Sequence, residues 1–254
     1  EYRYIVPLVR PSLSLVMAMA MVMLLQFIHE QQEKQYIRGQ LTHYFAPSLM
    51  EKILEEPELL DNVEKKELTI LFSDIAGFTA WSSTREAQEI HQTLNQYFDE
   101  MAAIVFAHQG TIDKYMGDGL MVFFGDPISC ENHAQLAVEA AIAMQEKTRE
   151  LRKAWDQRGG MPITIRIGVH TGEVIVGNMG SQNRVEYTVI GSNVNLAQRL
   201  ESNCKKGGVL FSESTYRQLD KSIDAMGAGT IQAKGFSDPI PVYTVRGIGE
   251  SGED

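Results

Sequence analysis

The sequence predicts an α+β domain, a mainly antiparallel sheet with helices packed on it. One apolar helix and a helical connector precede it. Three observations lead there. Short apolar runs of strand length alternate with two long stretches of helical periodicity. An Asp-Gly pair separates two adjacent strand-like runs, which marks a hairpin and so antiparallel neighbours. The first sixty residues differ sharply from the rest in composition.

In chain order, residues 1–10 form an upstream loop. Pro11 to Ile28 is eighteen residues without a charge, apolar all round. That length is near the lower limit for a membrane-spanning helix, about 17–25 residues. A signal-peptide core and a buried helix are the alternatives, but the missing polar stripe favours lipid. Arg3 and Arg10 flank one side, Lys34 and Arg38 the other, so charge does not orient it. Residues 29–63 read as a helical connector, with Ile37, Leu41, Tyr44 and Leu49 as a loose apolar stripe weakened by Gly39 and Pro47. Such a helix either packs on the next domain or pairs with a second copy. Glu55–Asp61 marks a boundary, and the main domain spans 64–246, with 247–254 as a tail.

Within that domain, Leu68–Phe72 reads as a strand and Ala87–His108 as a helix. Thr111–Tyr115 and Leu120–Phe124 form the hairpin around Met116-Gly117-Asp118-Gly119. Asn132–Trp155 is a second long helix. Ile163–Val169 and Glu173–Gly177 read as another hairpin, turned at Thr171-Gly172. Val185–Ile190 is a strand, Asn193–Glu201 a helix, and Pro241–Val245 a last strand.

Composition excludes several classes. The 254 residues include 23 basic and 33 acidic side chains, a net charge of −10, which argues against a general nucleic-acid binder. The 44% hydrophobic share excludes whole-chain disorder. Two cysteines, Cys130 and Cys204, make neither a disulfide scaffold nor a Cys-based metal site, and point to a reducing compartment. The chain opens on Glu1 rather than Met, so a fragment of a longer protein is expected.

The residues with chemical promise are individually weak. Asp74 ends the first strand and Asp118 sits at the hairpin tip. If those strands pair, two carboxylates can converge on hard cations, and two cations about 3.5–4 Å apart can clamp a phosphoryl transfer. Each is equally at home as a turn residue. Asn195 and Arg199 are four apart, on one helix face. Arg suits phosphate oxygens and Asn a sugar hydroxyl, though a solvated face would look the same. Alternation puts Lys114 and Met116 on one strand face and Asp113 and Tyr115 on the other. Lys114 can donate to a ring nitrogen of a purine. Lys234 and Arg184 can meet phosphates or water.

Together they are specific. FSDIAGFT (72–79), KYMGDGLMVFFG (114–125), RIGVHTGEVIVGNMG (166–180) and YTVIGSNVNLAQRLE (187–201) resemble the catalytic domain of class III nucleotidyl cyclases, the adenylate and guanylate cyclases. The likeness covers about Glu64 to Val245. It implies a ferredoxin-like βαββαβ core. It implies two Mg²⁺ or Mn²⁺ ions on Asp74, Asp118 and the main-chain carbonyl of Ile75. Lys114 and Thr188 match the purine-selecting pair, with Lys where guanylate cyclases carry Glu. Many adenylate cyclases carry Asp where Thr188 stands, and a bacterial branch carries Thr. Asn195 matches the ribose-orienting residue and Arg199 the transition-state arginine. Arg184 and Lys234 match basic residues on the polyphosphate. The resemblance implies sites shared between two protomers, one supplying the aspartates and Arg184, the other the remaining residues. The expected activity is conversion of ATP to 3′,5′-cyclic AMP and pyrophosphate by a homodimer. The expected location is the cell inner membrane, with the catalytic domain in the cytoplasm and a sensor domain upstream. A guanylate cyclase and a catalytically silent nucleotide-binding or dimerisation module are the alternatives.

Overall fold

The protein is described by a computed structural model covering residues 17–27, 29, 63–127, 129–156, 161–181, 184–232 and 238–248, with Arg184 described in its backbone alone. The chain divides into two compact units, Glu1–Met50 and Glu51–Asp254. In the first, residues 17–27 and His29 are helical and exposed. Residues 11–16 and Ile28 of the expected span lie outside the described residues, as does most of the connector. Among the described residues no helix is long and apolar enough to cross a membrane.

Among the described residues of the second unit the first element is β1 (Glu64–Ile75), followed by a short helix α1 (Phe78–Ser82) and α2 (Ala87–Ala107). The hairpin strands β2 (Thr111–Met116) and β3 (Gly119–Phe124) lead into α3 (His133–Asp156). Then come β4 (Ile165–Ser181), β5 (Arg184–Ile190), α4 (Ser192–Asn203) and β6 (Val209–Ser212). A one-turn helix α5 (Glu213–Tyr216) and strands β7 (Ala225–Ile231) and β8 (Ile240–Val245) complete it. The sheet order is β2-β3-β1-β4-β6-β8-β7, with β5 paired to β4. Its first four strands are antiparallel throughout, the arrangement of a ferredoxin-like core, and β4–β6 is parallel.

The apolar run at the start of the domain is continuous because β1 is covered on both faces. Leu71 and Ile75 pack with Val122, Phe124, Ile165 and Ile167 under α2 and α3, against Tyr97, Met101, Val138 and Met144. Leu68, Ile70 and Phe72 face the other way, with Met121, Phe123, Val174, Val189 and Ala197 of α4.

The hairpin expected at Thr171-Gly172 does not form. β4 runs unbroken for 17 residues, pairing with β1 through Thr69–Thr171 and Leu68–Gly172. β4 pairs instead with β5, Ser181 standing opposite Arg184, so the antiparallel partner that follows it in the chain is β5. Glycine serves close approach here, not turning. A Cβ on Gly172 would lie 2.7 Å from Asn193 Nδ2.

Candidate active site

Three strands converge at one end of the sheet. Register sets Ser73 of β1 opposite Leu120 of β3, and Asp74 opposite Arg166 of β4. The Ser73 hydroxyl lies 3.0 Å from the Tyr97 hydroxyl on α2. The β2–β3 loop is Gly117-Asp118, flanked by the Met116–Gly119 pair. Gly117 takes φ +68°, the left-handed first loop position that glycine tolerates. Gly119 belongs to β3, where a Cβ would come within 3.2 Å of the Ser73 carbonyl. The turn thus sits one residue earlier than an Asp-Gly turn, and Asp118 projects toward the end of β1.

The two carboxylates meet there. Burial first, then the neighbouring Asp74 charge, raise the Asp118 pKa above the ordinary carboxylate value, against main-chain N–H groups of Asp118 and Ile75 that lower it. Arg166 Nη2 donates to Asp74 Oδ2 at 2.5 Å. Arg166 Nε also lies 3.2 Å from Glu201 Oε1 on α4. Burial raises the Glu201 carboxyl, with Arg166 opposing. For Arg166 burial acts downward, but the Asp74 hydrogen bond and the Glu201 charge outweigh it. Two hard-oxygen carboxylates, one already disfavouring its charge beside the other, fit a divalent cation.

Lys114 and Thr188 form a second group. The sequence-based alternation fails at this point, because the β2–β3 register slips between Ile112 and Lys114. A bulge re-aims side chains. Here Asp113 and Lys114 both reach β5. Lys114 Nζ lies 3.2 Å from Asp113 Oδ1 and 3.1 Å from Glu186 Oε2. Burial acts to lower the Lys114 pKa, but Asp113 and Glu186 outweigh it and raise the value, so the ammonium stays charged. The Thr188 hydroxyl donates to Asp113 Oδ2 at 2.5 Å, and the Val189 N–H donates to the same oxygen at 3.3 Å.

Asn195 and Arg199 stand one turn apart on α4, whose buried face is Leu196, Ala197 and Leu200. Asn195 is exposed and Arg199 half-buried. Among the described residues the Arg199 guanidinium has no hydrogen-bond or ion-pair partner. Arg184 opens β5 opposite Ser181. Lys234 lies outside the described residues. Sequence reasoning missed Arg166, Glu201 and Asp113. The first two sit inside recognisable motifs, but their pairing depends on the β1–β4 register and on where α4 lands.

Residues 60–247 match the family model described as the adenylate and guanylate cyclase catalytic domain. The chain belongs to that family. Among solved structures, this cyclase domain resembles the adenylyl cyclase CyaB of P. aeruginosa at 43% identity and TM-score 0.70, covering 72% of this chain and 95% of that one. It resembles the guanylyl cyclase Cya2 at 39% identity and TM-score 0.69, covering 74% and 95%. The adenylate cyclase 1 of Rhizobium meliloti (strain 1021) is 34% identical over 186 residues, 72% of this chain and 28% of that protein. An adenylate cyclase of Anabaena cylindrica is 33% identical over 220 residues, 80% of this chain and 42% of that protein. The chain therefore spans less than half the length of these curated relatives.

Proposed function

We propose that this cyclase domain is an adenylate cyclase, converting ATP to 3′,5′-cyclic AMP and pyrophosphate in a homodimer. The observation that carries the choice of base is the Lys114 ammonium held beside the Thr188 hydroxyl through Asp113. A donor for adenine N1 next to an acceptor for its amino group suits adenine. Relatives of both kinds are similar to this chain, so likeness alone does not choose.

In the reaction the ribose 3′-oxygen bonds to the α-phosphorus, the bond to pyrophosphate breaks, and the hydroxyl proton leaves to water or a substrate phosphate. Asp74, Asp118 and the Ile75 carbonyl would hold two Mg²⁺ or Mn²⁺ ions, which supply charge neutralisation at the attacking and leaving oxygens. Lys114 and Thr188 read the base. Asn195 orients the ribose, and Arg199 meets charge that grows in the transition state, where it raises rate rather than binding alone. Arg184 and Lys234 hold the polyphosphate. Pairing of two protomers is supported by exposed apolar side chains on the strands that carry site residues: Tyr115, Met116, Val185 and Ile190. Residues 11–28 anchor the chain in the inner membrane, with the domain in the cytoplasm and a sensor upstream.

The test is turnover of the purified chain with Mn²⁺, offering ATP and GTP separately, beside Asp74→Ala, Arg199→Ala and their equimolar mixture. Cyclic AMP from wild type, little from either variant and partial recovery on mixing are expected, because one complete site forms in a mixed dimer. No cyclic product from a folded dimer would leave a binding module. Cyclic GMP as the main product would overturn the reading of Lys114 and Thr188.

A further inference from the structure

Asp113 is a buried carboxylate that bridges Lys114 and Thr188, and among the described residues it touches neither of the metal-binding aspartates of the reading above. Its side chain is 1% exposed, and it sits at the β2 irregularity that turns it toward β5. Its two oxygens have different company. Oδ1 faces the Lys114 ammonium at 3.2 Å. Oδ2 accepts from the Thr188 hydroxyl and from the Val189 N–H. An aspartate carboxylate only accepts, and with the Lys114 ammonium facing Oδ1 both donors to Oδ2 point their hydrogens at it. The Thr188 hydroxyl has one hydrogen and two lone-pair sites. Its hydrogen is committed to Asp113, so it offers the base lone pairs alone.

We propose that Asp113 is a positioning residue for base selection: by holding the Thr188 hydroxyl hydrogen, it makes that hydroxyl an obligate acceptor toward the purine. This rests on the reading of Lys114 and Thr188 as the base-recognising pair. An obligate acceptor matches the adenine 6-amino donor and meets the guanine 6-carbonyl lone pair to lone pair. A freely rotating hydroxyl would serve either, because it can donate as readily as accept. The Val189 N–H and the Lys114 ammonium keep the carboxylate from rotating away.

The experiment compares kcat/KM for ATP and GTP in the 254-residue chain with Mn²⁺, with a cooperative thermal melt recorded for every variant. Asp113→Ala should lower the ATP:GTP ratio by about tenfold or more, with most of the change in the two KM values. In a Thr188→Val background, which has no hydroxyl to orient, the same substitution should change the ratio less than about twofold. Asp113→Asn and Thr188→Ser keep an acceptor under a hydroxyl. Both should hold the ratio within about threefold of wild type. The proposal is overturned if Asp113→Ala lowers both nucleotides equally, or if its effect on the ratio persists without the Thr188 hydroxyl. A tenfold fall in the ratio for either conservative variant also overturns it, and decides the matter if the alanine variant does not melt cooperatively. A wild-type preference for GTP is a separate result, which defeats the adenine reading itself.

Discussion

Gly168 in β4 is where the frame and the chemistry touch most closely. A Cβ built there would lie 2.0 Å from the Glu201 amide nitrogen and 2.6 Å from the Ala197 carbonyl oxygen, where ordinary contact begins at 3.4 Å. Both obstacles are main chain of α4, which no side-chain rotation relieves. Gly168→Ala therefore requires α4 to retreat from the sheet by about 1.4 Å, the difference between 2.0 and 3.4 Å. Overpacking of this kind typically costs ~1–3 kcal/mol. The same helix carries Asn195 and Arg199, and misplacement by about 1 Å can cost on the order of a hundredfold in rate. The assay is a urea titration with cyclic AMP turnover measured on the folded fraction. Gly227→Ala serves as control, since nothing lies within 4 Å of its Cβ position. A Gly168→Ala protein with wild-type midpoint and turnover would refute the reasoning, because α4 would then not be seated where its distances put it.

Other expectations follow from the charges and the surface. Arg166→Met leaves Asp74 and the buried Glu201 without their shared cation, and should cost ~1–3 kcal/mol by urea midpoint. Adding Glu201→Gln should recover part of that loss, while strict additivity would count against the coupling. Burial lowers the pKa of His133 and His170 below 6.5, opposed only by Glu67 and by the Asn193 hydrogen bond respectively. The unfolded chain takes up those protons near pH 6.5 and the folded chain does so only at lower pH. Stability is thus complete above that value and falls as pH drops through it, by up to ~1.4 kcal/mol per unit per histidine. Urea midpoints at pH 7.5 and 5.5 should show a shallower loss for His170→Gln than for wild type, and equal slopes would be the adverse result. Val185→Lys and Ile190→Lys should weaken self-association in sedimentation and lower turnover in parallel. Loss of association with full turnover would mean that a single protomer is competent.

The primary sequence was a good guide wherever a choice was local. Helical periodicity placed α2 and α3 within a residue or two of their observed ends. Asp74 and Asp118 were singled out from their motifs, and the structure brings the two carboxylates together. Lys114 and Thr188 were singled out as well, yet neither their adjacency nor the carboxylate between them was visible, because alternation wrongly turned Asp113 away. A bulge is one residue of slack, and its position depends on what the partner strand offers. Thr171-Gly172 misled for a related reason. Glycine in a strand and glycine in a turn look alike until the helix above it is known.

Spacing, charge and motif settled which side chains are present and which chemistry they suit, since these are properties of residue type and short-range order. The two-sided burial of β1 settled the rest. It sets the Asp74–Arg166 register, brings Asp118 to the same strand end and seats α4 so that Glu201 reaches Arg166. Those contacts join residues far apart in the chain, and they follow from packing two opposite faces of one strand at once.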